Sequence, residues 1–163
     1  MTKAELTTIG RAERADFPDL NIENLPVKID TGADLSSIWA EDVRLVDNRL
    51  HVRFFNPESE WYDGKEHVFD EDEYTVTRVA NSFGHREIRY RVKVRIRVKG
   101  RLIRASFTLS NRSNKLYPVL LGRALLHKKF LVDVSMGDPL AKEERERKEK
   151  LRKELETVTE GEV

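Results

Sequence analysis

The sequence predicts an all-β domain over residues 1–137, followed by a charged, solvated helical tail over residues 138–163. Short apolar stretches separated by turn residues fill the first range, as is typical of β proteins. Residues 89–109 alternate apolar and basic side chains with a period of two, the pattern of a half-buried strand. Glu, Lys and Arg dominate the second range, and its few apolar residues do not form a stripe along a helix.

The clearest single element is a β-hairpin within residues 89–109. Every second residue from Val92 to Val98 is apolar and the residues between them are Arg or Lys, so one face of the strand is buried and the other is basic. Lys99-Gly100 supplies the turn, and the alternation resumes from Ile103 to Leu109.

Shorter elements are predicted on both sides of this hairpin. Further strands are expected at residues 25–29, 37–40, 51–55, 74–80, 119–122 and 130–134. A short helix is expected at residues 123–127 and a longer one over residues 140–156. Asp138 and Pro139 suit the start of the longer helix, as a cap and a first helical residue.

Composition limits the classes of function. Basic and acidic residues nearly balance, with a net charge of +1, which argues against a general nucleic-acid binder. The chain has no cysteine, so thiol nucleophiles and thiolate metal sites are excluded. No run of about 18 apolar residues occurs and the first residues contain no apolar leader, so we expect a cytoplasmic protein without a membrane partner.

One short motif can carry chemistry at the end of the first predicted strand. The apolar segment 27–29 leads into Asp30-Thr31-Gly32, where glycine permits a tight turn and the small Ala33 leaves it uncrowded. This arrangement presents the Asp30 carboxylate at a strand end, close to backbone N–H groups. An ordinary turn aspartate has the same local sequence, so the motif alone leaves a purely structural role open.

A second motif follows about ninety residues later and makes the first more specific. An apolar strand ends at Gly122 and is followed by Arg123 and a short apolar helix. Asp30-Thr31-Gly32-Ala33-Asp34 together with Leu120-Leu121-Gly122-Arg123 resembles the retroviral-type aspartic proteases, the retropepsins. The sequence is more similar to a prokaryotic family of small retropepsin-like domains, often labelled "ATP-dependent zinc proteases" and associated with ATP-grasp ligases that glutamylate ribosomal proteins. Further matching segments over residues 8–135 are Ile9-Gly10-Arg11, Ser82-Phe83-Gly84-His85-Arg86-Glu87, Leu109-Ser110-Asn111-Arg112 and Phe130-Leu131-Val132-Asp133.

This resemblance implies a closed acid-protease barrel with one lobe per chain and aspartic-type endopeptidase activity. The chemistry requires two carboxylates that share a proton, whereas the sequence contains one Asp-Thr-Gly. The resemblance therefore implies a homodimer in which Asp30, supported by Thr31 and Gly32, meets its symmetry mate. A peptide or protein substrate and an ATP-grasp ligase partner are implied in the same way.

The resemblance also assigns substrate and dimer contacts. A flap is expected over residues 75–90, with Ser82-Phe83-Gly84 at its tip. The expected substrate-binding residues are Ala33, Asp34, Ser82, Phe83 and Gly84. Asp34 and Arg123 are expected to form a partly buried, bidentate pair near the dimer contact.

The sequence predicts no cofactor and no metal. The four histidines, His51, His67, His85 and His127, are isolated from one another, and there is no Gly-rich phosphate loop. One alternative is a non-catalytic peptide-binding or assembly module of the same fold that serves an ATP-grasp ligase. A second is a nucleic-acid-binding β domain that uses the basic residues 91–104, although a solvated face balanced by the acidic residues 70–73 is the favoured explanation of that pattern.

Overall fold

The computed structural model describes residues 5–80 and 83–161, in which β-strands dominate. The strands are β1 (Thr7–Ile9), β2 (Ala12–Phe17), β3 (Ile22–Ile29), β4 (Ser36–Val46), β5 (Arg49–Phe54), β6 (His67–Phe69), β7 (Tyr74–Ala80), β8 (Arg86–Val98), β9 (Arg101–Ser110), β10 (Val119–Leu121) and β11 (Phe130–Val132). The helices are a 3-10 turn at Pro18–Leu20, α1 (Arg123–Leu126) and α2 (Ala141–Gly161).

Six strands close into a barrel, which confirms the predicted fold. Their order is β10-β3-β2-β8-β9-β4, and a second pairing between β10 and β4 completes the circle. The short strand β10 is parallel to β3 and antiparallel to β4, so it lies between the two segments that flank the Asp30 turn. β5 and β6 extend the sheet from β4, β7 pairs with β8, and β1 forms a separate parallel pair with β11.

The predicted hairpin forms β8 and β9. From Val92 to Val98 every second side chain is at most 1% exposed, and the basic residues between them lie on the outer face of the barrel. Lys99 and Gly100 both have positive φ angles, 50° and 76°, which matches the twist of a tight two-residue hairpin turn. Phe17 of β2 packs edge-on against Phe107 of β9 in the core, with ring centroids 5.5 Å apart.

The sequence pattern did not reveal β1, β2 and β6. β2 carries the charged residues Glu13, Arg14 and Asp16, which hide its alternation. Glu13 is nevertheless only 7% exposed, because its carboxylate accepts the backbone N–H of Gly10 at 2.9 Å. A buried carboxylate with a local hydrogen-bond partner cannot be recognised from hydropathy.

The tail helix α2 starts later than predicted and contacts the barrel. Asp138 does not cap it, since α2 begins three residues later, at Ala141. The backbone N–H of Asp138 donates to the carbonyl of Ala12 at 2.7 Å. In the first turn of α2, Glu144 accepts two hydrogen bonds of 2.9 Å from Arg11 and one of 2.7 Å from the Tyr117 hydroxyl. Beyond this anchor the described side chains of α2 are exposed.

Candidate active site

Asp30 lies directly after β3, in the turn that the sequence predicted. Its backbone N–H donates to the carbonyl of Leu121 at 2.9 Å, which ties the start of the turn to β10. Its carboxylate oxygen Oδ1 accepts the backbone N–H of Gly32 at 2.9 Å, and the side chain is half-buried. The turn therefore orients the carboxylate through one oxygen and leaves Oδ2 available for another partner.

The second motif holds the first in place. The Gly122 N–H donates to the buried Ser36 hydroxyl at 3.0 Å, and the Arg123 N–H donates to the Ala33 carbonyl at 2.8 Å. A Cβ atom at Gly122 would lie 2.6 Å from the carbonyl oxygen of Leu35, so only glycine fits here. The two motifs, far apart in sequence, thus form one structural unit around Asp30.

Asp34 and Arg123 are neighbours, but their geometry differs from the expected one. Arg123 Nη2 lies 3.8 Å from Asp34 Oδ1, and the two side chains are 53% and 77% exposed. The guanidinium also donates to the carbonyl of Thr31 at 3.0 Å. Within one subunit the pair is therefore exposed and joined by a single long contact, not by a partly buried, bidentate one.

Arg112 belongs to the same site, although no individual role was predicted for it. Its Nε donates to the Tyr117 carbonyl at 2.9 Å and its Nη1 to the Ser37 hydroxyl at 3.2 Å. Burial lowers the pKa of Arg112, and the negative charge of Asp30 acts in the opposite direction. The only sequence signal was its place in the segment Leu109-Ser110-Asn111-Arg112, because a loop residue that acts through charge follows no periodic pattern.

The hairpin of β7 and β8 projects from the barrel where a flap was predicted. The strands pair from Tyr74 with Val92 to Ala80 with Arg86. The register places Val76 and Ile88 on the same side as the inward-facing Val92, yet they are 52% and 59% exposed. Arg78 lies on the same side, opposite Ile88, so the hairpin carries a mixed apolar and basic face that the barrel does not cover.

The predicted tip residues fall partly within the described chain. Phe83 is 85% exposed, and Gly84 has a φ of 78°, which favours glycine. Ser82 lies outside the described residues. Ala33, which was predicted to bind substrate, lies in the Asp30 turn and is half-buried.

The basic outer face of β8 and β9 is partly neutralised by the fold itself. Arg95 forms hydrogen bonds of 2.7 and 2.9 Å with Asp19, which lower the pKa of that carboxyl. Arg101 donates to the backbone carbonyls of Glu5 and Lys129. In the described chain the acidic residues 70–73 form no salt bridge with residues 91–104, and Asp70 pairs with Arg49.

The histidines of the described chain do not converge on a common point. His51 pairs with Glu66, and His67 packs against the Phe54 ring at 5.5 Å between centroids. The carboxylates of Asp70, Asp72 and Glu73 lie within 4.8 Å of one another in an acidic surface turn. Among residues 5–80 and 83–161, no helix is long and apolar enough to cross a membrane.

Comparisons with known proteins agree with this architecture. Residues 8–142 match the family model RimB-like, described as retropepsin-like aspartic endopeptidase RimB. Proteins named probable alpha-L-glutamate ligase are 27% identical over 138 residues in Desulfotalea psychrophila and 30% identical over 138 residues in Shewanella pealeana. The match covers 78% of this chain but only 28% of each of these relatives. The crystal structure of a Legionella pneumophila protein of unknown function has a TM-score of 0.63 at 23% identity, covering 82% of this chain and 97% of that protein, and supports the fold.

Proposed function

Because the chain belongs to the RimB-like family of retropepsin-like aspartic endopeptidases, we propose that it hydrolyses peptide bonds as a homodimer with Asp30 of each subunit as the catalytic pair. The observation that carries this proposal is the position of Asp30. Its half-buried carboxylate is oriented through Oδ1 by the Gly32 N–H, while Oδ2 remains available. One carboxylate per chain requires a second chain for aspartic catalysis.

The proposed mechanism follows from two carboxylates at close range. Two carboxyl groups about 3 Å apart cannot both ionise without a large electrostatic repulsion, so the pair shares one proton and titrates as a unit. The ionised carboxylate takes a proton from water as the water oxygen attacks the scissile carbonyl carbon, and the protonated carboxyl transfers its proton to the carbonyl oxygen, which gives a gem-diol. The C–N bond then breaks as the proton taken from water passes to the amine nitrogen, and the gem-diol returns one hydroxyl proton to the pair as the new carboxyl group forms.

The surface around Asp30 is suited to a symmetric contact. Thr31, Gly32 and Asp34 are exposed, and Leu35 is 39% exposed beside them. In the proposed dimer this face is covered by its own copy, and the exposed Asp34–Arg123 pair becomes desolvated. Desolvation strengthens charge–charge contacts, so the pair would stabilise the dimer more than it stabilises one subunit.

The hairpin of β7 and β8 is the proposed flap. Val76 and Ile88 supply exposed apolar side chains on one face, and Phe83 and Gly84 lie at the tip. We assign this face to substrate side chains, because a lid that closes over the substrate excludes water from the reacting carbonyl.

The names of the relatives suggest the setting in which the domain works. We assign it to a cytoplasmic system that includes an alpha-L-glutamate ligase, since the relatives carry that name and are more than three times longer than the matched region. Glutamate-rich peptides are then the proposed substrate. Arg97 of β8 and Arg104 of β9 are exposed on the outer face of the barrel, and we assign them to ion pairs with the carboxylates of such a substrate.

A non-catalytic role is the second candidate, and the same relatives favour it. A domain that accompanies a ligase can bind its peptide substrate or assemble with it without cutting peptide bonds. In that case Asp30 acts as a turn residue, and its hydrogen bond with Gly32 is structural.

A survey of cleaved products separates the two candidates. The wild-type protein and Asp30→Asn are each incubated with a peptide library that includes oligoglutamate extensions, and new termini are identified by mass spectrometry. The peptidase proposal predicts products with the wild-type protein and none with Asp30→Asn, with equal unfolding curves. A module that only binds would give no products with either protein and equal retention of peptides by both.

A further inference from the structure

We propose that the cavity between α2 and the barrel is a binding site for a small multivalent oxyanion, a ligand with several closely spaced phosphate or carboxylate groups. The cavity has a volume of about 450 Å³. Six cationic side chains line it: Arg11, Lys28, Arg112, Lys115, Arg147 and Lys148. It adjoins the candidate active site through Lys28, which lies two positions before Asp30, and through Arg112.

The charges in this cavity are unbalanced. Among the described residues, Glu144 is the only carboxylate that lines it, and its two oxygens already accept hydrogen bonds from Arg11 and the Tyr117 hydroxyl. The salt bridges of the described chain leave Lys28, Arg112, Lys115 and Lys148 without a carboxylate partner. Several like charges around one concave space repel one another and focus a positive potential that attracts anions.

Arg112 gives the strongest indication of a missing counter-ion. Its guanidinium is half-buried, but its two hydrogen bonds go to neutral oxygens, the Tyr117 carbonyl and the Ser37 hydroxyl. A cation removed from water is normally compensated by a charged partner. Burial lowers the pKa of Arg112, and the negative charge of Asp30 opposes this without a salt bridge or hydrogen bond that joins the two side chains.

The cationic residues that line the cavity belong to two parts of the fold, α2 and the barrel, so a ligand that binds both sets would link these parts. Arg147 and Lys148 belong to α2, and Arg147 is anchored by a 2.8 Å hydrogen bond to the carbonyl of Asn114. Lys28 and Lys115 belong to the barrel and its loop. A multivalent anion that contacts both sides would fasten the first turns of α2 to the barrel, in addition to the hydrogen bonds of Glu144 and Arg147.

The test measures binding in the Asp30→Asn protein, so that its outcome does not depend on peptide hydrolysis. Sodium tripolyphosphate and penta-L-glutamate are titrated separately by calorimetry at low and physiological salt. The cavity variant is Lys115→Gln/Lys148→Gln. The matched control is Lys142→Gln/Lys153→Gln, which removes the same charge from residues of α2 that do not line the cavity.

We expect at least one probe to bind with an affinity that falls as salt rises, and the cavity variant to weaken it about tenfold or more while the control changes it by about twofold or less. Binding by tripolyphosphate alone assigns the site to phosphates, and binding by penta-L-glutamate alone assigns it to carboxylates. Amide exchange over residues 141–151 should slow when the binding probe is present. The proposal is overturned if neither probe binds, or if both double variants weaken binding equally.

Discussion

Substituting Gly122 by alanine should disrupt the contact between the two motifs. The backbone at Gly122, with φ −96° and ψ 179°, is accessible to alanine, so the cost is purely steric. The new Cβ would lie 2.6 Å from the oxygen and 2.7 Å from the carbon of the Leu35 carbonyl, and 2.9 Å from the Ala33 oxygen. All three atoms belong to the backbone of the loop after Asp30, so the whole loop must move.

Overpacking typically costs 1–3 kcal/mol, and contacts with fixed backbone place this variant near the upper limit, at about 3 kcal/mol of unfolding free energy. Urea unfolding followed by circular dichroism measures it. With a slope of about 2 kcal/mol per molar urea, the midpoint should fall by about 1.5 M. Gly161→Ala is the control, because its Cβ would meet nothing within 4 Å. A loss below about 0.5 kcal/mol would show that the loop yields easily and would refute the view that Gly122 fixes the Asp30 turn.

Three further predictions concern hydrogen bonding and pH. Ser36→Ala removes the buried acceptor of the Gly122 N–H and should cost about 1–3 kcal/mol in urea unfolding; an unchanged midpoint would contradict this. Hydrogen bonds from Arg11 lower the pKa of Glu144, so the docking of α2 should persist at neutral pH and weaken as pH falls below the ordinary glutamate value of about 4.3. Amide exchange of α2 should show this loss in the wild-type protein, and Glu144→Gln should show weak protection at every pH. Burial lowers the pKa of His67, so the neutral form is favoured in the fold and stability should decline as pH falls below about 6.5. That decline should be absent in His67→Phe. If the stability of both proteins depends on pH in the same way, protonation of His67 is not the cause of the decline.

The sequence predicted those parts of the fold that follow a local pattern. The hairpin of β8 and β9 was predictable because alternation and turn chemistry agree, and Asp30 and Gly122 because their motifs have fixed local sequences. β2 was not predictable, because its buried Glu13 interrupts the apolar pattern and depends on a hydrogen bond to Gly10. A hydrogen bond that compensates a buried carboxylate in this way can be recognised only when the course of the backbone is known.

The site shows the same division between local and long-range information. The Asp34–Arg123 contact was predicted, but its exposure was not, because exposure depends on which surfaces meet. Arg112 was named only as part of a matching segment, and the cavity beneath α2 was not predicted. The cavity depends on the position of a helix whose composition suggested a solvated tail and whose Glu144 contacts Arg11 and Tyr117.

The central claim, a catalytic pair built from two Asp30 side chains, is tested most directly by mixing subunits. Wild-type protein at a fixed concentration is combined with increasing Asp30→Asn protein, and cleavage of a peptide identified in the product survey is followed. If the subunits exchange and share the site, activity should fall as inactive mixed dimers form. Activity per wild-type subunit should also vanish on dilution to a strict monomer, as measured by analytical ultracentrifugation. Undiminished cleavage by a monomer, with no effect of the added variant, would contradict the shared-carboxylate site.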